Sequence, residues 1–345
     1  MKAMILEGFG EKLKLKNVQE KELKPGYAKI KVKACGICHT DLKILSGTLP
    51  ICKEIQFPHI LGHEIAGKVV EVESEVKDIH VGDRVVVSFY SGCGKCIYCN
   101  KGEDALCENL QYWAGFRDWG GYAEYITVPA RALTLIPNTS AITYVKAAII
   151  PDAVATVYGA LKRKADIKPE DNVIIIGVGG LGLHAVQLAK YFQAKVIAID
   201  KDEKHLNKAL EEGADFIVKL NSDEVENTIN HLMHNKKADS VIDIVGTQST
   251  INLGINSLKK GGKLIIVGYE PQTKVFIKPL EVLLKEIQIL GSRGSSKKDI
   301  EETLKLIASG HIHPIIDKIR PFKEVNELHQ QLKDGKIIGR SVIVF

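Results

Sequence analysis

The chain reads as an α/β protein of two domains, a β-rich domain followed by a doubly wound parallel sheet. Three observations predict this. Between residues 152 and 291, six apolar runs of strand length (173–176, 196–200, 216–218, 241–245, 263–268 and 287–291) alternate with helical patterns. Alternation of that kind builds a parallel sheet covered by helices. The first of these runs opens directly onto a glycine-rich turn at 177–182. Before residue 150 the chain instead consists of short alternating segments broken by Gly and Pro, such as 28–34, 67–72, 83–88 and 122–128, which suggests a barrel-like β domain.

Composition sets the outer limits. A length of 345 residues fits two domains, and 45% hydrophobic with 26% charged residues is ordinary for a globular protein. The net charge of +5 is modest and no basic block stands out, which argues against a nucleic-acid partner. Lys29, Lys31 and Lys33 alternate with apolar residues and read as the wet face of a strand. The apolar run at 1–6 is too short for a signal peptide, and no run approaches a membrane span. A cytoplasmic location is the expectation. Seven cysteines in such a chain suggest metal before disulfides.

In chain order, the first chemical signal is the pair of segments 35–41 and 61–67, in which Cys38 and His63 are plausible zinc ligands. Ordinary core packing of a Cys–His pair is the competing interpretation. The second is Cys93, Cys96, Cys99 and Cys107, spaced C-x2-C-x2-C-x7-C. Four thiolates on one short loop can close a tetrahedron around zinc, leaving no open position for chemistry. An iron–sulfur cluster or a reducible thiol patch shares that spacing. The third is the turn itself. Gly177 allows a tight turn, Gly179 lets the backbone approach a pyrophosphate, and Gly182 lets helix and strand pack closely, with Gly180 and Leu181 between them. Asp200 follows the first glycine by 23 residues and is placed to accept from adenosine ribose hydroxyls. An acid there disfavours a 2′-phosphate, so NAD is expected over NADP, with Lys201 and Lys204 softening the preference. The tail reads as a helix at 297–310, a second at 321–332, and a closing strand at 339–345.

Through Gly36-Ile37-Cys38-His39-Thr40-Asp41, Gly62-His63-Glu64-x-x-Gly67, Val81-Gly82-Asp83-Arg84-Val85, the four-cysteine lobe, the glycine turn and Gly339-Arg340, the chain resembles the zinc-containing alcohol dehydrogenases of the medium-chain dehydrogenase/reductase superfamily over essentially its whole length. The resemblance implies a GroES-like catalytic domain at 1–151 with a structural-zinc lobe near 92–108, a Rossmann cofactor domain at 152–291, and a return segment at 292–345 completing the first domain. A cleft between the domains is implied with them. It further implies a catalytic zinc on Cys38 and His63, with Glu64 as a neighbouring carboxylate able to approach the metal and Asp41 as an acceptor fixing the His63 tautomer. The third ligand falls in the segment 151–158. Many members carry Cys where this chain has Asp152, others a carboxylate, so Asp152 is assigned, with a helix N-cap as its alternative. Thr40 would accept the substrate proton. The next relay member is commonly His where this chain has Lys43, which leaves the longer relay open. His39, Thr156, Val245 and Gly268 join Lys201 and the turn as cofactor-binding positions, and Arg340 matches an arginine that contacts the pyrophosphate.

The implied activity is reversible hydride transfer between a primary or secondary alcohol and NAD, with two zinc ions per chain, a small-molecule alcohol or carbonyl substrate, and a dimeric or tetrameric state. A polyol, threonine or other specialised dehydrogenase of the same superfamily is one alternative, and a non-catalytic dinucleotide-binding protein another. Trp113, Phe116 and Trp119 could line an apolar substrate pocket or pack the loop. Cys35 and Cys52 have no assigned partner.

Overall fold

A computed structural model describes residues 1–220 and 224–345. It forms two compact units, Met1–Ala155 with Ser295–Phe345, and Thr156–Gly294. The first unit therefore runs on to Ala155 rather than ending at 151, and its return begins at Ser295 rather than 292.

The first unit is built on a seven-stranded sheet. Its path runs Ile316–Pro321, Arg340–Val344, Tyr27–Ile37, Glu64–Val72, Arg84–Val87 and Leu133–Leu135, with Tyr125–Pro129 also paired to Tyr27–Ile37. Strand Tyr27–Ile37 is central because it is long and β-branched, and it alternates buried Ile30 and Val32 with outward lysines. Its antiparallel register places Gly36 opposite Glu64 and Ile37 opposite Ser341. That register brings the ends of three strands together at one place. The helix expected at 321–332 begins later, at Val325–Lys333. Pro321 closes a strand and Phe322–Glu324 forms a short 3-10 turn between them. Proline lacks the N–H a central ladder would need, so it sits at the end of an outermost strand.

The second unit carries six parallel strands among the described residues, in the order Phe216–Lys219, Lys195–Asp200, Asn172–Ile176, Ala238–Asp243, Leu258–Ile266, Gln288–Gly291. Strand order reverses on either side of Asn172–Ile176, the arrangement that opens a crevice at the carboxyl ends of the strands. The core here is Ile174, Ile176, Ile197, Val241 and Leu264, all 4% exposed or less. Among the described residues no helix is long and apolar enough to cross a membrane.

Candidate active site

Cys38 lies one residue beyond strand Tyr27–Ile37 and caps helix His39–Leu45. Its own N–H donates to the Asp41 carboxylate at 2.9 Å, and the Asp41 N–H donates back to the Cys38 carbonyl at 3.0 Å. This reciprocal cap fixes the thiol at the strand end. His63 and Glu64 enter on the neighbouring strand, and Arg340 opens the strand on the other side. Asp152 arrives on a π-helical turn, Ile150–Val154. Pro151 has no N–H to give to that turn, and the Ser295 hydroxyl holds its carbonyl at 2.6 Å. Asp152 is not the N-cap, a place taken by Ile149.

One ligand atom from each of Cys38, His63, Glu64 and Asp152 lies within 4.8 Å of the others, and all four residues are buried. The Cys38 Sγ is 3.5 Å and the His63 Nε2 is 3.8 Å from Asp152 Oδ2. Two glycines make room. A Cβ at Gly36 would overlap the Glu64 carboxylate, and Gly62 at φ +93° packs under the Tyr122 ring, where a Cβ would collide with it. Thr40 is half-buried with its hydroxyl 3.7 Å from Cys38 Sγ, while His39 is exposed and Lys43 half-buried.

Arg340, for which a pyrophosphate contact is expected, lies inside this cluster. It is 3% exposed, with Nη2 2.8 Å from Asp152 Oδ2, 2.9 Å from Glu64 Oε1 and 3.5 Å from Cys38 Sγ. The physical reason is charge: several potential anions buried together need a cation. The pKa directions follow. Burial pushes the Glu64 carboxyl well above its ordinary range, against the pull of Arg340. Burial also disfavours the Asp152 anion, but His63 and Arg340 outweigh it and hold that carboxyl well below its ordinary range. Burial likewise opposes the His63 cation, yet Asp41 and Asp152 on either side outweigh it and raise the imidazole well above its usual value.

These residues fit a divalent cation. They combine one thiol, one imidazole and two carboxylates, the mixed donor types that catalytic zinc sites draw on. Of the Glu64 carboxylate, Oε1 faces Arg340 while Oε2 is buried without a hydrogen-bond partner. The Asp41 Oδ1 stands 3.4 Å from His63 Nδ1 on the opposite side of the ring, the orienting contact that metal-bound histidines usually make. Cys93, Cys96, Cys99 and Cys107 form the second candidate group, also within 4.8 Å. Backbone N–H groups of Cys93 and Cys99 point at Cys107 Sγ (3.3 Å) and Cys96 Sγ (3.5 Å), as they do around bound thiolates. The Lys95 amide holds Cys93 down at about 6, whereas burial pushes Cys99 up to about 12. Arg131 braces the lobe, donating to the Gly92 carbonyl at 2.7 Å and to Asp104 at 3.2 Å.

Of the three aromatics singled out, Phe116 flanks His63 at a centroid distance of 5.2 Å and Trp113 stacks on Phe116 at 4.6 Å. Trp119 lies elsewhere, its indole N–H donating to the Pro58 carbonyl under Lys21. Sequence reasoning missed Phe89, which faces His63 at 5.5 Å, the buried Tyr122, whose hydroxyl donates to Asp41, and His329, which bonds that hydroxyl in turn. The only available signal was a strand-end position for Phe89; nothing local marks the other two.

In the second unit Gly177 has φ +88°, and a Cβ on Gly182 would overlap the Gly177 carbonyl, so helix and strand meet at contact distance. Around Gly179 a Cβ would meet nothing within 4 Å, leaving that face of the turn open. Gly180 and Leu181 are half-buried at the start of helix Gly182–Tyr191. Asp200 ends its strand and accepts from the Val178 N–H at 2.8 Å and the Asp202 N–H at 3.0 Å. Burial opposes its charge, but His205 and those amides prevail and lower its pKa. Two acceptor oxygens still have lone pairs for further donors. Val245 packs against Gly177, and Gly268 lies on the Ile244 carbonyl where no Cβ fits, so all three line the same strand ends. Lys201 is exposed and Thr156 buried.

Residues 24–138 match the family model described as alcohol dehydrogenase GroES-like domain, and residues 180–309 match zinc-binding dehydrogenase. An alcohol dehydrogenase of Geobacillus stearothermophilus is 34% identical over 99% of both chains. An NAD-dependent alcohol dehydrogenase of Sulfurisphaera tokodaii is 34% identical over 100% of both. The crystal structure of the alcohol dehydrogenase from Aeropyrum pernix superposes with a TM-score of 0.93 at 31% identity, again covering 100% of each chain.

Proposed function

The chain belongs to the zinc-containing alcohol dehydrogenases of the medium-chain dehydrogenase/reductase superfamily, and we propose from its own residues how it performs their reaction. It is a zinc-dependent, NAD-linked oxidoreductase acting on CH–OH groups, interconverting a small alcohol and its carbonyl compound. The observation that carries this reading is the buried set of Cys38, His63, Glu64 and Asp152.

Cys38, His63 and Asp152 would hold the catalytic zinc, one thiolate and one carboxylate matching its two charges. Zinc so held supplies Lewis acidity, acidifying a substrate hydroxyl and polarising a carbonyl. Bound NAD supplies the hydride acceptor. Glu64 stays beside the metal as a reserve carboxylate, and Arg340 acts as counter-ion to the acids. The Thr40 hydroxyl, 3.7 Å from the Cys38 sulfur, takes the proton leaving the substrate. Thr40 is half-buried, so its own hydroxyl proton passes on to water as it takes the substrate's. Phe89, Phe116 and Trp113 exclude water beside His63 and favour an apolar alcohol. Cys93, Cys96, Cys99 and Cys107 would hold a structural zinc, closed to substrate.

In the other unit the turn at 177–182 carries the pyrophosphate on its open Gly179 face and the helix N-terminus behind it. Asp200 takes the adenosine ribose, while Thr156, Lys201, Val245 and Gly268 complete that unit's cofactor contacts. Assembly into a dimer or tetramer is supported by helix Pro279–Lys285, where Leu280, Leu283 and Leu284 are 67, 68 and 63% exposed beside Phe276 at 80%.

A panel of primary, secondary, aromatic and polyol substrates with NAD and NADP, run alongside zinc analysis, tests the assignment. Two zinc ions per chain with NAD-linked turnover of simple alcohols is the expected result. Turnover that survives complete removal of the zinc would defeat it.

A further inference from the structure

Behind the metal-binding cluster runs a second chain of buried groups that the mechanism leaves unused. Asp41 is fully buried on helix His39–Leu45, Tyr122 is fully buried ahead of strand Tyr125–Pro129, and His329 is 5% exposed on helix Val325–Lys333. The Tyr122 hydroxyl is 3.0 Å from Asp41 Oδ2 and 3.2 Å from His329 Nε2. On its other oxygen Asp41 faces His63 Nδ1 at 3.4 Å.

Hydrogen-bond chemistry gives this chain a direction. A carboxylate only accepts, so the single Tyr122 hydroxyl proton goes to Asp41. The same oxygen must then accept at His329, which fixes the proton of that imidazole on Nε2 and leaves Nδ1 bare. The surroundings agree: His329 Nδ1 is buried with no hydrogen-bond partner, and burial keeps the ring neutral. Asp41 Oδ2 is thus held by the Tyr122 hydroxyl and the Cys38 N–H (2.9 Å), and Oδ1, which has no other partner, is left facing His63 Nδ1 at 3.4 Å. His63 Nε2 then faces Cys38 and Asp152, so it is the nitrogen that gives up its proton to a metal while Nδ1 keeps its own.

We propose that Tyr122 and His329 are positioning residues of the catalytic metal centre, forming a one-way donor chain, His329 Nε2–H to Tyr122 O–H to Asp41, that orients the carboxylate and through it the metal-binding tautomer of His63. The proposal rests on the assignment of Cys38, His63 and Asp152 as zinc ligands. Tyr122 also props Gly62, whose missing Cβ leaves room for the ring, so the ring and the hydroxyl have separable roles.

The test uses the full-length protein and reads zinc affinity at the mixed-ligand site by chelator competition, with the visible spectrum of the cobalt-substituted site as a second, turnover-free readout. Tyr122→Phe keeps the ring and removes only the hydroxyl. It is expected to weaken that site about tenfold, the lower end for an outer-shell partner, and to leave the four-cysteine zinc untouched. His329→Met should do the same, while His329→Gln, which restores an N–H near Nε2, should return to within about twofold of the parent. The donor chain is overturned if the parent holds both metals and Tyr122→Phe matches its affinity and cobalt spectrum. It is equally overturned if His329→Gln is as weak as His329→Met, because His329 then acts by packing. A parent protein that fails to hold metal at the mixed-ligand site overturns the ligand assignment itself, and the donor chain with it.

Discussion

Substituting Asp152 and Glu64 singly and together tests the charge balance at the centre of the site. Arg340 Nη2 is nearly equidistant from Asp152 Oδ2 (2.8 Å) and Glu64 Oε1 (2.9 Å). Of the two acids, Asp152 is held ionised and Glu64 is pushed toward its neutral form. With charge centres about 4 Å apart and an effective dielectric near 20, one such pair is worth about 4 kcal/mol before desolvation. Asp152→Asn removes the ionised partner, but Glu64 can release its proton and take over the same guanidinium. Glu64→Gln leaves Asp152 in place. Each single variant should therefore lose less than about 3 °C in Tm. The double variant leaves a buried guanidinium with no ionised carboxylate in contact, the Cys38 sulfur standing at 3.5 Å. A chain of 345 residues unfolds with roughly 0.7 kcal/mol/K of entropy, so a loss of about 4 kcal/mol corresponds to about 6 °C. The measurement is thermal unfolding of protein stripped of metal at the mixed-ligand site, with zinc counted in each sample. Strict additivity of the two substitutions would refute the shared-counter-ion reasoning, since coupled neighbours deviate by about 0.5–3 kcal/mol. Asp152→Asn is also expected to retain only the four-cysteine zinc and to lose turnover.

Three further outcomes are expected. Cys99→Ser should release the structural zinc and lower Tm by several degrees while residual turnover persists at low temperature, which zinc analysis and residual rates will show. Asp200→Ala should raise the KM for NAD about tenfold and improve the use of NADP, because the ribose loses an acceptor and a 2′-phosphate loses a like charge; unchanged cofactor preference would count against the ribose role. His59 is 1% exposed and its pKa is depressed by burial to about 4, so it stays neutral in the folded chain while the unfolded chain takes up a proton near 6.5. The unfolded state then binds more protons, and stability falls as pH drops from about 6.5 to about 4, by up to about 3 kcal/mol. His59→Gln should flatten that part of the stability–pH curve measured by denaturant unfolding.

Much of the molecule was legible in the linear chain because its signals are local. The parallel sheet announced itself as six apolar runs, and strands were found at each of them. The turn from Gly177 to Gly182 needs glycine for reasons confined to a single strand–helix junction, and the four cysteines lie within 15 residues. Residues such as Cys38, His63 and Asp152 could be named from the resemblance, and the register of neighbouring strands explains why the first two meet.

What the linear chain could not decide were matters of approach between distant segments. Arg340 stands beside Asp152 because three strand ends and a π-helical turn converge there, and a buried group of acids then requires a cation; nothing near residue 340 signals it. Helix formation at the carboxyl end was placed too early, since Pro321 can close a strand as readily as open a helix. Phe89, Tyr122 and His329 are unremarkable letters in their own segments, and they gain meaning only from proximity to His63 and Asp41. Short-range conformational preference is written residue by residue, whereas the pairing of charges and donors inside a core depends on distances that exist only after the chain has folded.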